Sequence, residues 1–495
     1  MTFCAIRPID GSPFGAEIPE NTEREVADAI VRAHAVSTEL AVLSPAQHAM
    51  LLRSIADEIE ARRTELIESA CAETGLPVGR ITGEITRTTV QFKLFADLVE
   101  TGRHLRVVID KADPNYSPAP RPDLRRQNQP LGVVAIFAAS NFPLAFSVAG
   151  GDTASAIASG NAVVAKAHPA HPNTCAIVAT AVKNAFKISG LSSDLFSIVQ
   201  GTNPKITHWL AAHPLVQAVG FTGSEAVGKI LIDIAGKREV PIPVFAEMGS
   251  LNPVFVTSLA IVERSLNLAK GLVDSALLGS GQFCTKPGLI FIPDTSKDFI
   301  TYIVNHLSTL QTGPLLSQSI AARYTLAISD LSNSGAISVY SGIENSLGFG
   351  VTPTIFVADW QTAQKNPALL EEHFGPTAVL ITTKESEYVS VAQQLQGHLT
   401  ATIHGTALDS VDELLKVLST KAGRVIWNGF PTGVAVTEAM QHGGPWPSSS
   451  SHTTSVGIDA IYRFMRPVAY QSFAQDLLPK ALQDANSWKI EQRIN

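Results

Sequence analysis

The run LGVVAIFAASNFPLAFSVAGGDTASAIASGNAVVAKAHP, residues 131–169, decides the fold. It holds two apolar blocks, VVAIF (133–137) and AVVAK (162–166), each the length of a strand and lacking polar alternation. Strands read this way when both faces of a parallel sheet are covered. Between them, a stretch near 144–158 reads as a helix. The rhythm repeats in LFSIV (195–199) and VQAVGF (216–221), with helices expected near 173–187, 204–212 and 224–235. Strand–helix alternation of this kind predicts a doubly wound α/β fold.

Working outward, residues 22–75 read as helices. Thr22 and Glu25 have capping-box spacing, and apolar residues recur at three- and four-residue steps through Val26, Ile30 and Ala33. Gly75-Leu-Pro77 stops the third helix, and another is expected over roughly 82–100. The stretch DPNYSPAPRPDLRR then crowds four prolines between 114 and 122, so it is neither a central strand nor a helix interior. It reads as a surface loop or as an arm reaching over a partner subunit. Beyond 248 a second α/β section is expected: helices near 261–278 and 296–308, and strands near 288–292, 378–382, 400–404 and 423–428.

At 495 residues the chain needs more than one core. Hydrophobic residues make up 45% and charged ones 16%, the balance of a well-buried globular protein rather than a disordered one. A net charge of −7 gives no basis for nucleic acid or an anionic membrane as partner. The start, MTFCAIRPIDGSPFG, lacks a signal-peptide pattern, and no run of apolar residues is long enough to span a bilayer. Cys4, Cys71, Cys175 and Cys284 have neither disulfide-framework nor metal-ligand spacing, so no metal is expected and a reducing cytoplasm fits best.

Several residues could carry chemistry. Cys284 lies in GSGQFCTKPG, where Gly279, Gly281 and Gly288 let backbone approach a ligand while leaving a nucleophilic sulfur accessible. A small core residue is the plainer reading of one cysteine. Phe221-Thr-Gly-Ser-Glu225 ends a strand and opens a helix; Thr222 and Glu225 have capping-box spacing, and Gly223 and Ser224 offer amides suited to a pyrophosphate. No G-x-G-x-x-G fingerprint follows any predicted strand. Glu247, in FAEMGSLNP, follows an apolar run, where a raised pKa would make it a general base; a strand-end ion pair with Lys or Arg is the alternative. Asn141, directly after a buried strand, could donate to an oxyanion or simply serve a turn. Lys166 ends its strand at the edge where α/β sheets bind ligands, though it could equally point into solvent. Glu372 and Phe374 belong to the turn EEHFGP.

The order and spacing of these residues are specific as a set. Asn141 in S-N-F-P, Lys166 after V-V-A, F-T-G-S at 221–224, Glu247 in E-M-G, Cys284 in G-Q-F-C-T and E-E-H-F-G-P at 371–376 resemble the aldehyde dehydrogenase superfamily over about residues 20–470. The resemblance implies Cys284 as nucleophile, Asn141 with the Cys284 amide as oxyanion donors, and Glu247 as base for the deacylating water. It implies NADP or NAD as cofactor, with Lys166 on the adenosine ribose, Ser224 on the pyrophosphate, Glu372 on the nicotinamide ribose and Phe374 packed nearby. Thiolate attack on an aldehyde, hydride transfer and thioester hydrolysis would follow. It also implies a doubly wound cofactor domain (1–104, 131–247 and 441–470), a catalytic α/β domain (248–440) and an oligomerisation arm (105–130 and 471–495) in a homodimer or homotetramer.

Departures are visible too. Ser140 stands where many members have tryptophan, and Glu247-Met-Gly-Ser-Leu251 replaces E-L-G-G-K. Lys166-Ala-His-Pro169 lacks the carboxylate that many members place on both adenosine ribose hydroxyls. Lys166, with a protonated His168 or His171, would then accept a 2′-phosphate, and NADP should serve at least as well as NAD. ETGLP (73–77), GEITRTTVQFKLFA (83–96), KAHPAHP (166–172) and GFPTGVAVTEAMQHGGPWPSSS (429–450) resemble the 2-oxoglutarate semialdehyde (2,5-dioxopentanoate) dehydrogenase branch. Such a substrate carries a carboxylate far from its aldehyde. Arg87, Gln91 and Phe95 recur at four-residue steps on the helix that covers the family's tunnel, with Phe142 and Phe283 expected at the pocket floor. Arg87 could instead pair with Glu84 or Asp97. Three other readings are weighed: a CoA-acylating relative, which would not need Glu247; a non-catalytic scaffold, which would be expected to lose Cys284 or Asn141; and a protein that binds cofactor without turnover.

Overall fold

The computed structural model of the chain describes residues 1–333 and 337–495. The decisive stretch folds as its apolar blocks require. Five parallel strands run in the order Phe196–Val199, Ala162–Lys166, Val133–Phe137, Val216–Thr222, Val244–Glu247. Every residue of Val133–Phe137 is buried, because helices cover both faces. Strand order reverses at Val133–Phe137, whose neighbours are the second and fourth strands in sequence. Doubly wound sheets bind ligands at such a reversal, beyond the carboxyl ends of the strands. Lys166, Thr222 and Glu247 are each the last residue of a strand, so the sheet delivers all three to that edge.

The amino-terminal helices are capped as their sequence dictates. Thr22 and Glu25 form the expected capping box on Glu23–Val36. Gly75 ends Arg63–Thr74 in the left-handed conformation, φ 67°, which costs glycine little. The next helix, Val78–Glu100, begins a turn earlier than expected: Ile81 and Ile85 are fully buried, and their packing outweighs the weak propensity of Gly79 and Gly83. The helix expected over 144–158 is shorter, Gly151–Ala158. The amides of Leu144 and Ala145 donate instead to Glu84 Oε1, at 2.8 and 2.9 Å, and this carboxylate holds 142–150 as an irregular loop.

The second section forms a seven-stranded sheet in the order Ser338–Ser341, Thr354–Asp359, Thr377–Thr383, Leu289–Pro293, Val254–Val256, His398–His404, Ala422–Trp427, with only the first strand antiparallel. The helix Gln318–Ser332 and the strand Thr354–Asp359 were not legible as elements. The proline-rich segment enters a third sheet, ordered Met465–Gln471, Leu124–Pro130, Val108–Asp110, Arg493–Ile494. Among the described residues, no helix is long and apolar enough to cross a membrane.

Candidate active site

Cys284 follows the helix Ser258–Leu277 through three consecutive left-handed residues, Gly279, Ser280 and Gly281, at φ 58°, 57° and 65°. A Cβ at Gly281 would lie 2.0 Å from the Gly375 carbonyl oxygen, so this turn packs directly on the loop that carries Glu372. Lys286 fixes the same junction, its Nζ donating to the carbonyls of His373, Gly375 and Thr377 at 2.7, 3.0 and 2.9 Å. Asn252, fully buried with φ 49°, donates through Nδ2 to the carbonyls of Cys284 and Lys286, both at 2.8 Å.

The thiol itself is half-buried. Burial pushes it well above its ordinary pKa, Glu247 adds to the push, and Arg87 opposes it. His442 lies against this thiol, its Nε2 3.6 Å from Sγ, within reach of its proton. His442 Nε2 is also 2.9 Å from Glu247 Oε1, and the Ser455 hydroxyl donates to Glu247 Oε2. Glu247 therefore corrects both readings of it. Burial does push its carboxyl up, but His442 and Ser455 outweigh burial and leave its pKa below the ordinary value. Its partner is a histidine, not a Lys or Arg. Cys284, His442 and Glu247 converge although the sequence spacing gives no hint of it, and their ligand-type atoms lie within 4.8 Å of one another.

Asn141 is tied to the loop that carries Cys284, its Nδ2 donating to the Gln282 carbonyl at 2.9 Å. An amide carries two such hydrogens, so one stays available. Beside it Phe142 meets Phe146 and Phe283 edge-on, with ring centroids 5.1 and 5.3 Å apart. Two guanidiniums cover this aromatic cup. Arg80 lies 4.2 Å from the Phe142 centroid and 4.8 Å from that of Phe283; Arg87 lies 4.9 Å from that of Phe146. Neither alternative partner holds Arg87. Asp97 is taken by Arg53 at 2.8 Å, and Glu84 Oε2 sits 3.5 Å from Arg80. Among the described residues, no carboxylate pairs with Arg87. Gln91 lines the same small cavity as Arg87 and Phe146, and its buried Nε2 has no hydrogen-bond partner. Phe95 lies one turn further on, fully buried in the core of the first sheet.

The cofactor residues can be tested for fit. The helix Glu225–Gly236 is capped by Ser224, whose Oγ accepts from Val227 N; the expected Thr222–Glu225 box does not form, because Thr222 stays in its strand and Glu225 pairs with Lys229. The amides of Glu225 and Ala226 have no acceptor among the described residues, leaving the positive helix end open to a phosphate. Gly223 abuts the Phe221 ring, where a Cβ would come within 2.6 Å. Glu372 lies against Gly249, so close that a Cβ there would meet its Oε2 at 2.0 Å. Phe374 packs on the cluster of Leu315, Leu316 and Tyr324. Lys166 Nζ donates to the carbonyls of Ala167 and Gly201, at 3.2 and 3.1 Å, and burial pulls its pKa down to about 8. These groups suit a dinucleotide with its pyrophosphate at the helix end. The histidines do not play the part expected of them. Burial, with His171 and Lys166 adding, holds His168 far below the ordinary histidine range. His171 is held at about 9, Cys175 and the Ala139 carbonyl outweighing burial, but it is fully enclosed. Of the three groups expected to hold a 2′-phosphate, Lys166 is the one both charged and not fully buried.

Fold and site together describe a dinucleotide-binding oxidoreductase with a thiol at its centre, and residues 2–468 match the aldehyde dehydrogenase family. The chain belongs to that family. It is 44% identical to alpha-ketoglutaric semialdehyde dehydrogenase 2 of Azospirillum brasilense, over 98% of this chain and 93% of that protein. It is 42% identical to alpha-ketoglutaric semialdehyde dehydrogenase of Acinetobacter baylyi, over 100% of this chain and 95% of that one. Among solved structures it resembles glyceraldehyde-3-phosphate dehydrogenase from Methanocaldococcus jannaschii complexed with NADP, with a TM-score of 0.81 at 22% identity, covering 94% of this chain and 98% of that one.

Sequence reasoning missed His442, Ser455, Arg80, Lys286 and Asn252. His442 lies in, and Ser455 just beyond, a stretch singled out only for its resemblance, AMQHGGPWPSSS. Nothing local marks that histidine as a neighbour of Cys284, 158 residues away.

Proposed function

We propose that the chain oxidises 2-oxoglutarate semialdehyde (2,5-dioxopentanoate) to 2-oxoglutarate, with NADP or NAD as acceptor and a thioester on Cys284 as intermediate. The observation that carries the substrate is the pair of guanidiniums over the aromatic cup beside the thiol, with the orphan amide of Gln91. An unpaired, half-buried arginine is costly unless a carboxylate arrives to meet it. The names borne by the two full-length relatives support the same substrate.

In this reading His442 takes the thiol proton as Sγ attacks the aldehyde carbon, with Glu247 stabilising the imidazolium and passing that proton on to solvent. The free N–H of Asn141 and the Cys284 amide hold the developing oxyanion. When bound, NAD(P) supplies the hydride acceptor. Neutral again, His442 with Glu247 behind it takes a proton from the water that attacks the thioester and returns it to the leaving sulfur as the acid is released. A CoA-acylating route would have no use for such a carboxylate. The remaining parts of the proposal are a homodimer or homotetramer, an arm formed by 105–130 and the C-terminal tail, and a cytoplasmic setting that keeps the four cysteines reduced.

Arg87→Ala tests the substrate. A charge-assisted hydrogen bond contributes about 1.5–3 kcal/mol, so KM for 2,5-dioxopentanoate should rise roughly 10- to 100-fold. KM for propanal should stay unchanged. An equal loss for both aldehydes would make Arg87 structural and leave the carboxylate without this partner.

Lys166 gives the cofactor prediction a sign. It is charged below pH 8 and loses its charge above it, so KM for NADP should climb from about pH 8 upward while KM for NAD changes little. Pro169→Glu should shift kcat/KM toward NAD by placing a carboxylate where a 2′-phosphate would sit. A wild-type enzyme strongly selective for NAD would refute this assignment.

A further inference from the structure

The thiol, imidazole and carboxylate of the candidate active site also form a set of metal ligands. We propose that Cys284 Sγ, His442 Nε2 and Glu247 Oε1 constitute a binding site for a thiophilic divalent cation, Zn²⁺ above all, which closes the enzyme reversibly. When zinc binds sulfur at about 2.3 Å and imidazole nitrogen at about 2.0–2.1 Å in a tetrahedron, those two ligands stand roughly 3.6 Å apart. Sγ and Nε2 of this site are 3.6 Å apart.

The third ligand is waiting. Glu247 Oε1 is buried and has no hydrogen bond of acceptable geometry, because His442 Nε2 is at bonding distance, 2.9 Å, but not at a bonding angle. Seating an ion asks Oε1 to draw back from Nε2 by about half an ångström, toward the spacing that two first-row ligands keep around zinc. Ser455 holds Oε2, orienting the carboxylate as outer partners do in metal sites. A thiolate, a carboxylate and a neutral imidazole together cancel the two charges of the ion, so no net charge is buried with it. The guanidiniums of Arg87 and Arg424, felt at the thiol, and of Arg463, felt at Glu247, oppose binding. Three protein ligands leave a fourth position for water, facing the half-exposed side of Cys284. Binding releases the thiol proton and leaves the sulfur unable to attack an aldehyde.

The test uses the purified full-length enzyme and two probe ions, without depending on which aldehyde is the substrate. One equivalent of Co²⁺ should give a sulfur-to-cobalt charge-transfer band in the near ultraviolet, with the visible bands of a tetrahedral ion. The charge-transfer band should vanish in Cys284→Ser. In His442→Asn and in Glu247→Gln, affinity should fall on the order of 100-fold. In the wild-type protein, which removes any question of folding, buffered Zn²⁺ should slow alkylation of Cys284 by iodoacetamide at least about tenfold, and EDTA should restore it. Alkylation indifferent to Zn²⁺, or a cobalt spectrum and affinity unchanged in both His442→Asn and Glu247→Gln, would overturn the site while leaving the dehydrogenase reading untouched.

Discussion

Replacing Cys284 by alanine should lower steady-state NAD(P)H formation on the order of 10⁴-fold or more, the scale on which enzymes suffer when a covalent nucleophile is removed. The loss should be confined to chemistry. Cys284 is tied into its loop through its backbone carbonyl, which Asn252 holds at 2.8 Å, and alanine keeps that carbonyl. Cofactor affinity, measured by fluorescence titration, should therefore stay within a few-fold of the wild type. Normal turnover in the alanine protein would sink the thioester mechanism outright.

The second large effect separates His442 from Glu247. If His442 takes the thiol proton, His442→Asn should lose the first turnover as well as the later ones, falling about 10²- to 10⁴-fold in the rate of the initial NAD(P)H burst. Glu247→Gln should behave differently. Gln keeps the volume and one hydrogen-bonding oxygen, so Cys284 should still be acylated in a single turnover, and the enzyme should then stall. Mass spectrometry of the stalled protein should find the acyl adduct on Cys284. Equal burst amplitudes and rates in both variants would dissolve the distinction and return His442 to a structural role. A merely structural histidine would not change the burst and the steady state in different proportions.

The fold was legible because its deciding signal is local. Apolar blocks such as 133–137 and 162–166 announce buried parallel strands wherever they occur, and the strand ends then place Lys166, Thr222 and Glu247 on one edge. The irregular loop at 142–150 was not legible, because what keeps it from becoming helix is the Glu84 carboxylate some 60 residues earlier in the chain. The same physics explains the misjudged carboxylate. Its sequence neighbourhood is apolar and argues for a raised pKa, whereas its actual surroundings are set by His442 and Ser455, brought in from about 200 residues away. His168 failed in the opposite sense: a histidine next to a lysine in sequence suggests a shared basic patch, yet in the fold that lysine and a second histidine help to suppress its charge.

Lys286 has a consequence for how such a protein can change. Its ammonium gathers three carbonyls of the Glu372 loop, while Asn252 clasps the loop that carries Cys284. Stripping the ammonium would remove a charged hydrogen bond from each of the three carbonyls, each worth about 1.5–3 kcal/mol, so the two loops stand or fall as one casting. Variation that alters which aldehyde fits is thereby channelled elsewhere, onto Val78–Glu100 and the 141–150 stretch, which meet the casting through the Asn141 amide on Gln282, the Phe142 ring edge on Phe283 and the Arg80 guanidinium over Phe283. Substrate choice can drift along that seam while the grip on the nucleotide and the aim of the thiol are inherited unchanged.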